Sequence, residues 1–393
     1  MKKIKLFLFL LPIFFFTGCY NYHELNQLAL TSAIGIDKTE NGFKATIQVM
    51  NTQKSGSDAS SLISQPKFVT YSYEDKTLQE AFRKIILDSS KRIYANHIQV
   101  LVIGSELAED GIYEMLDMFF RNSESRKQFV VVIAKDADAE DVLNIITPLE
   151  TLNSKNIRDG LTVDERYLGM GEIITYEDMI GTYLDKNKEI TLPTVEIKGS
   201  EKEGEQIENI EGSDPNVRLV SGPMAVFKND KMLGYLSAEE SIALGFVRGT
   251  ISNTILSYEC GKDKYAVTEV IETKSSMDME TDPLKAKISI MGNLNINEIT
   301  CDLDLEDPKV VDDLEKNFED ELKNKVSNSI DSIIKKYDTD VFGFRDMLYK
   351  NYPKYYKKIK KDWYSEVFSK IDIDVEVEFE FLQKGNALKV IDR

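Results

Sequence analysis

Residues 307–337 read DPKVVDDLEKNFEDELKNKVSNSIDSIIKKY, and this stretch decides how the last part of the chain folds. Its apolar residues recur at steps of three or four, which places them on one face of an α-helix. They are Val311, Leu314, Phe318, Leu322, Val326, Ile330, Ile333 and Tyr337. Asp307 followed by Pro308 indicates the helix start, because Asp caps free N–H groups and Pro is favoured at the first helical position. The pattern predicts one amphipathic helix, roughly 45 Å long.

A second pattern lies at residues 371–381, IDIDVEVEFEF, where apolar and acidic residues alternate. Alternation with a period of two predicts a strand with one apolar and one acidic face. Calcium loops need turns and a glycine, so ion pairing explains the acidic face better than a metal does. Lys285 and Lys287 lie at strand spacing in a predicted strand at 284–296 and would pair with it. With a further strand at 265–275, we expect an antiparallel-rich sheet under the long helix.

Strands and helices alternate in the first half of the chain. The turn Asn41-Gly42 predicts a hairpin, and Thr77 with Glu80 forms a capping box that opens a helix. Asp136 or Asp138 is expected to cap another helix. Strands are predicted at 28–37, 43–50, 68–73, 98–103 and 129–134, and helices near 78–86, 112–120 and 139–146. The last two strands are short apolar runs, typical of buried central strands.

A polar segment divides the chain at 199–216, GSEKEGEQIENIEGSDPN, which predicts a linker or a long solvated loop. Beyond it, Asn229-Asp230 predicts a second hairpin, and Ser237 with Glu240 a second capping box. The fold class expected is α+β, or mixed α/β, with three domains, each a mixed sheet with packed helices. The predicted divisions are a signal peptide at 1–18, an N-terminal α/β domain at 19–197, a linker at 198–216, a small middle domain at 217–258 and a C-terminal sheet and long-helix domain at 259–393.

The N-terminus has the pattern of an export signal. Three lysines precede an apolar run at 6–16, which is shorter than the roughly 20 residues that span a membrane. Thr17-Gly18-Cys19 follows, which is the lipoprotein pattern of small residues before a cysteine. Cys19 would become an N-palmitoyl, S-diacylglycerol cysteine after cleavage. The position three before it is Phe16, where Leu is usual, and the alternative is an ordinary secretory signal.

Cys260 and Cys301 are the remaining cysteines. Export permits a disulfide between them, and two separate buried thiols are the alternative.

The charge of the chain limits its partners. The formal net charge is −18, and removing Lys2, Lys3 and Lys5 with the signal changes it to −21. Nucleic acid is excluded as a partner on this basis, because phosphate binding needs a basic face. Anionic headgroups would also repel the surface as a whole, so membrane attachment would depend on the lipid.

No catalytic, metal or cofactor pattern is found in the sequence, so we expect a protein that is not an enzyme. The chain has two histidines, His23 and His97, and their positions do not indicate a shared site. Gly169-Met170-Gly171 resembles the start of a dinucleotide loop, but Ile174 stands where that loop needs a glycine or alanine.

Residues 349–368, YKNYPKYYKKIKKDWYSEVF, form the one basic and aromatic segment. Its apolar members lie at helical spacing, which favours a helix that packs an aromatic stripe on the core and solvates its lysines. The alternative is a surface that faces headgroups or an acidic partner. The lysines of that surface would be Lys354, Lys357, Lys358 and Lys361.

The chain resembles the spore germination GerAC-like lipoproteins, the C subunits of nutrient germinant receptors. The resemblance begins at Cys19-Tyr20-Asn21-Tyr22-His23-Glu24-Leu25, although Trp is usual after the cysteine. It continues through 33–37, 92–97, 102–104, 120–126, 222–236, 340–344 and 352–363. It implies a non-enzymatic, three-domain subunit on the outer face of the spore inner membrane. That subunit would assemble with an A subunit and a transporter-like B subunit, and no germinant contact is assigned to it.

Two other classes of protein remain as alternatives. A lipid-anchored extracytoplasmic solute-binding protein should show two similar lobes, and the sequence shows no duplication. An envelope enzyme should present a nucleophile or a metal cluster.

Overall fold

The computed structural model describes residues 27–51, 67–121, 126–150 and 152–383. Its strands are β1 Leu28–Thr39, β2 Gly42–Met50, β3 Phe68–Asp75, β4 Arg92–Tyr94, β5 Val100–Ile103, β6 Val130–Ala134, β7 Thr191–Lys198, β8 Arg218–Lys228, β9 Lys231–Tyr235, β10 Asn253–Gly261, β11 Lys264–Thr281, β12 Leu284–Ile299 and β13 Asp372–Gln383. Its helices are α1 Leu78–Lys84, α2 Ser105–Asp110, α3 Tyr113–Arg121, α4 Ala139–Asn144, α5 Asn153–Tyr167, α6 Tyr176–Leu184, α7 Glu201–Gly204, α8 Ala238–Arg248, α9 Pro308–Tyr337, α10 Phe344–Asn351 and α11 Pro353–Ile359. The mixed α+β class expected from the sequence is confirmed.

The first sheet has the order β3-β2-β1-β5-β6-β7-β8-β9, with β4 paired to the start of β1. Strands β1, β5, β6 and β7 are parallel, and the flanking strands are antiparallel. Strands β5 and β6 are buried along their whole length. Helices α1, α2, α3 and α6 cover one face, and α4 and α5 cover the other. Helices therefore exclude water from both faces of the sheet, which explains why β5 and β6 are continuous apolar runs in the sequence.

The turns and caps predicted on both sides of the polar segment are confirmed with one exception. Asn41-Gly42 and Asn229-Asp230 form hairpin turns, and Asn229 adopts the left-handed conformation with φ of 58°. Thr77 and Ser237 accept hydrogen bonds from the backbone N–H groups of Glu80 and Glu240. The exception is α4. Asp138 occupies its N-cap position without making a side-chain capping bond, and the carboxylate of Asp37 accepts those bonds instead.

The polar segment 199–216 is more ordered than a solvated loop. It contains α7 and a 3₁₀ turn at Ile207–Ile210. Asn209 is buried and donates to the carbonyls of Ile146 and Val217, each at 3.0 Å, while its own side-chain oxygen accepts from Val217 N–H at 2.9 Å. These bonds hold the segment against the first sheet.

The region expected to form a middle domain contributes to both halves. Its hairpin β8–β9 continues the first sheet through β7, whereas α8 packs into the C-terminal core. The division of the chain at 198, 217 and 259 stays a prediction about separately folding units.

The second sheet has the order β10-β11-β12-β13 and lies under α9. All eight predicted core positions of α9 are buried, as the helical spacing required. Strands β10, β11 and β12 are antiparallel, and β13 joins β12 in parallel. The predicted ion pairing is confirmed for Lys285, which lies 2.9 Å from Asp374 and 3.8 Å from Asp372. It is wrong for Lys287, which pairs with Glu280 of the neighbouring strand β11 at 2.7 Å.

The basic and aromatic segment is not one continuous helix. Helix α10 ends at Asn351 and α11 begins at Pro353, because proline lacks an N–H and disfavours helical backbone at Tyr352. A π-helical turn, Trp363–Val367, and a 3₁₀ turn, Phe368–Lys370, follow. The expected burial of aromatic side chains is nevertheless found: Tyr356, Trp363 and Phe368 are buried.

In the described ranges, no helix combines the length and the apolar character that crossing a membrane requires.

Candidate functional site

A cleft of about 620 Å³ lies where the first sheet meets the C-terminal half. Its walls come from the segments around Glu172, Lys188, Arg248, Met277 and Asp346. These residues are distant in sequence, so the cleft exists only because the two halves pack together. Side chains of both positive and negative charge line the cleft, next to apolar side chains.

Arg248 fixes one side of this cleft. Its Nη1 donates to Glu172 Oε2 at 3.0 Å and to Thr191 Oγ1 at 2.8 Å. Its Nε and Nη2 both donate to the carbonyl of Val341, at 3.1 and 2.7 Å. A guanidinium has donors on a rigid fork, so one side chain ties the end of α8 to the first sheet and to the loop before α10.

Asp340 organises that loop. Its carboxylate accepts from the backbone N–H groups of Gly343, Phe344 and Arg345, at 2.9, 3.2 and 2.7 Å. Burial raises the pKa of Asp340 to about 6, although the three bonds act in the opposite direction. The carboxylate therefore caps the N-terminus of α10 from inside the core.

Asp346 places a carboxylate at the cleft wall. Its Oδ2 lies 2.8 Å from Lys350 Nζ and 3.5 Å from Lys188 Nζ. Its Oδ1 is buried and has no hydrogen-bond partner within the described part of the chain. The lysine ammonium groups, this carboxylate and the apolar side chains of Met179 and Met347 could together hold a small polar solute.

The predicted lysine surface lies on and just after α11. Lys354, Lys357, Lys358 and Lys361 are all exposed, and none forms an ion pair with the rest of the described chain. Tyr356 holds α11 in place, since its hydroxyl donates to Asn187 Oδ1 at 2.6 Å. The stripe of aromatic residues expected to pack on the core therefore does so, and the lysines remain in solvent.

Residues 21–197 match the family described as "Spore germination protein N-terminal domain", and residues 223–385 match "Spore germination B3/GerAC like, C-terminal". The two matches follow each other in order and cover most of the chain. The chain belongs to the GerAC-like family of spore germination proteins. This is a family of germinant receptor C subunits, with a role in spore germination, and not a family of enzymes.

Relatives of similar length support this assignment. Spore germination protein KC of Bacillus subtilis (strain 168) is 30% identical over 387 residues, which is 96% of this chain and 94% of that protein. Spore germination protein B3 of the same organism is 23% identical, over 95% of each chain. The crystal structure of the GerBC protein has the same fold, with a TM-score of 0.52 and 19% identity over 89% of this chain and 96% of that one.

Two motifs that carry the GerAC-like resemblance have a structural explanation. The motif at 33–37 ends in Asp37, which caps α4, and the motif at 340–344 begins with Asp340, which caps α10. Both are buried carboxylates bonded to backbone N–H groups. Their role in the described structure is to position helices.

Other residues singled out in the sequence fall in separate places. Cys19 and His23 lie outside the described residues. His97 lies beside Tyr94, with ring centroids 5.7 Å apart. Among the described residues, no group of three or more His, Cys, Asp or Glu side chains is arranged to hold a metal ion. Cys260 and Cys301 lie next to each other, with Cα atoms 6.2 Å apart, a separation typical of disulfides.

The residues of the cleft were not found from the sequence. Arg248 is the last residue of an ordinary capped helix, and Lys188 lies in a short polar loop. Only Asp340 belonged to a motif. No local pattern marks the others because their proximity depends on how the two halves pack.

Proposed function

We propose that this GerAC-like protein is the lipid-anchored C subunit of a nutrient germinant receptor. Cys19 carries the lipid and holds the protein on the outer face of the spore inner membrane. There it assembles with the A and B membrane subunits and is required for germination.

The observation that carries the proposal is the position of the family match relative to Cys19. The N-terminal family domain begins at residue 21, so the apolar run and Thr17-Gly18-Cys19 precede it. A diacylglyceryl cysteine has two acyl chains, and each buried CH₂ contributes about 0.8 kcal/mol, whereas a single chain binds only marginally. The net charge of −21 expected after cleavage gives the whole surface no attraction for anionic lipid.

A pull-down tests the assembly. The protein, tagged at its C-terminus, is recovered from detergent-solubilised membranes of dormant spores, and its partners are identified by mass spectrometry. We expect two polytopic membrane proteins to be recovered with it. Recovery of this protein alone, in detergents that preserve other membrane complexes, would contradict the assembly.

A cysteine substitution tests the anchor. Cys19→Ala is expected to move the protein from the membrane to the soluble fraction and to weaken germination. Asn21→Ala is the control, since it changes a residue two positions after Cys19 and keeps the cysteine that carries the lipid, and it should leave the protein in the membrane fraction. Full membrane retention of Cys19→Ala would remove the anchor from the proposal.

The cleft favours a second candidate function, the binding of a small polar solute by a lipid-anchored protein. Lys188 and Asp346 offer one group of each sign there, 3.5 Å apart. Solute binding would appear as an increase in melting temperature with some members of a panel of charged solutes. The increase should be absent in Lys188→Glu and unchanged in Lys186→Glu.

A further inference from the structure

Charge is distributed unevenly between the two ends of the central parallel strands. The segments that precede β5, β6 and β7, at 95–99, 126–129 and 185–190, carry four basic and two acidic residues. The segments that follow the same strands, at 104–110, 135–141 and 199–216, carry two basic and thirteen acidic residues. Parallel strands begin at one edge of a sheet and end at the other, so the first sheet has a weakly basic amino edge and a strongly acidic carboxyl edge.

The acidic residues of the carboxyl edge face each other across different segments. The pKa of Asp141 is raised to about 6, first by burial and then by the charges of Glu201, Asp138, Glu140 and Glu205. This edge therefore concentrates negative charge.

The lysine surface of α11 joins the amino edge. Two tyrosines make the junction, both with the segment 185–190: Tyr356 donates to Asn187 at 2.6 Å, and Tyr364 donates to Glu189 Oε1 at 2.6 Å. The segment 349–368 contributes six lysines and two acidic residues, Asp362 and Glu366. Tyr349, which is 50% exposed, packs against Tyr356 of α11, with ring centroids 5.4 Å apart.

The proposed lipid at Cys19 is attached near the same edge, because Cys19 lies a short distance before β1 in the sequence. Strand β1 is parallel to β5, and its residue Ala33 pairs with Val100, so Leu28 lies at the amino edge and projects beyond it. Leu28 is nine positions after Cys19, and an extended chain of nine steps spans at most about 30 Å. The lipid therefore cannot reach far from this edge.

We infer that the amino edge of the first sheet, together with the lysine surface of α11, faces the membrane and binds anionic lipid headgroups, while the acidic carboxyl edge faces away. The inference rests on the proposed lipid anchor at Cys19 and adds an orientation to it. A lipid tether alone leaves the protein free to rotate. The charge asymmetry selects one orientation because, of the two edges compared, the amino edge is attracted by an anionic surface and the carboxyl edge is repelled by it.

Lysine footprinting on the anchored protein tests the orientation. The lipidated protein, which begins at Cys19 after cleavage, is reconstituted into vesicles of phosphatidylcholine alone or mixed with phosphatidylglycerol. Acylation rates of individual lysines are then read by mass spectrometry. We expect Lys354, Lys357, Lys358 and Lys361 to react several-fold more slowly in the anionic vesicles than in detergent. Lys135 and Lys202, at the carboxyl edge, should react at unchanged rates.

A pair of charge-matched variants supplies the control. Replacing all four lysines of the α11 lysine surface by glutamate should abolish the difference in acylation rate between the two edges. In this variant the amino edge is followed through Lys186 and Lys188, which are unaltered. The same number of reversals on α9, Lys309→Glu, Lys316→Glu, Lys323→Glu and Lys335→Glu, should preserve it. High salt should weaken the protection in the original protein, since the Debye length falls to about 3 Å at 1 M.

The outcomes separate the orientation from the anchor. If the protein floats with the vesicles but all its lysines react at the same rate as in detergent, the orientation is wrong and the anchor stands. If the protein does not float with the vesicles, the anchor itself fails. Protection of the α11 lysines in native spore membranes but not in pure lipid would overturn the lipid assignment and indicate a protein partner on this face.

Discussion

The carboxylate of Asp37 caps a helix that begins 102 residues later in the chain. Its Oδ1 accepts from the N–H of Ala139 at 2.6 Å, and its Oδ2 accepts from the N–H of Glu140 at 3.1 Å. Gly104 leaves room for this carboxylate, because a Cβ at that position would overlap Asp37 Oδ1. The end of β1 is thus tied to the start of α4, and the sheet is tied to the helix layer that covers it.

Replacing Asp37 by asparagine should change how stability depends on pH. Burial, followed by the charges of Asp138 and Glu140, raises the pKa of Asp37 from 3.8 to about 7, against the two backbone bonds. A carboxyl whose folded pKa is raised stabilises the fold at low pH, and that stability is lost as the pH rises through about 7. Asp37→Asn does not titrate, so the decrease in unfolding free energy between about pH 4 and pH 7 should shrink by an amount on the order of 3 kcal/mol.

Denaturant titrations at a series of pH values measure this effect. Asp320→Asn is the control, because it removes one carboxylate from the exposed side of α9, away from Asp37 and α4. It should keep the pH dependence of the original protein. An Asp37→Asn variant with an unaltered pH dependence would contradict the assignment.

Two glycines should respond to alanine in opposite directions. Gly343 precedes α10 with φ of 92°, and Gly181 lies inside α6; neither has any atom within 4 Å of where a Cβ would stand. Both positions therefore have room for a methyl group, and they differ only in backbone conformation: Gly343 has a positive φ, whereas Gly181 lies in a helix. Gly343→Ala should lower the unfolding free energy by about 1 kcal/mol, and Gly181→Ala should raise it by about 0.5–1 kcal/mol. Thermal unfolding measures both, and a shift of the same sign in the two variants would refute the argument.

Arg248 should not be replaceable by lysine. Lysine has a single ammonium group and cannot bond Val341, Glu172 and Thr191 at once. Arg248→Lys should cost about 1–3 kcal/mol, since a carbonyl and a carboxylate lose their partners. Hydrogen exchange should also become faster in the loop 338–343. Arg158→Lys, on the exposed side of α5, should leave both measurements unchanged.

Glutamates of α9 protect the outer edge of the second sheet. Glu319 Oε1 accepts from Phe379 N–H at 2.9 Å, and Glu315 Oε2 accepts from Phe381 N–H at 3.1 Å. These N–H groups lie on β13, an edge strand, where unpaired groups invite pairing with another chain. Glu319→Ala should make the amide of Phe379 exchange faster. The amide of Phe381, which keeps its bond to Glu315, should then exchange more slowly than that of Phe379. Glu321→Ala removes a carboxylate that pairs with Lys325 instead, and should leave both amides unchanged.

The features predicted correctly from the sequence are those set by neighbours along the chain. The spacing in α9, the alternation in β13 and the turn at Asn41-Gly42 each depend on a few consecutive residues. The break at Pro353 follows from the same local physics, whereas the apolar spacing of 349–368 taken alone predicts a continuous helix. The order of strands in the first sheet depends on pairing between distant segments and has no local pattern.

The candidate site was harder to predict than the fold. The cap made by Asp37 joins two segments through a folded sheet, so the nearer Asp138 was the natural expectation. The cleft is built from segments near 172, 188, 248 and 346, and none of them carries a chemical motif. The lysine surface of α11 was recognised because its composition differs from the acidic remainder of the chain. Its position at the amino edge required the contacts of Tyr356 and Tyr364 with the first sheet.

The placement of Cys260 beside Cys301 predicts a disulfide that reductant should break. The two residues are 41 apart, on β10 and just after β12, so a bond would enclose β11 and β12 in one loop. A loop of this length should stabilise the fold by about 2–4 kcal/mol. Reductant should therefore lower the melting temperature of the original protein and leave that of Cys260→Ser/Cys301→Ser unchanged. Cys301 is buried, so the double variant loses some stability from serine alone, and the response to reductant is the measurement that decides. A melting temperature that reductant does not alter would mean two separate thiols.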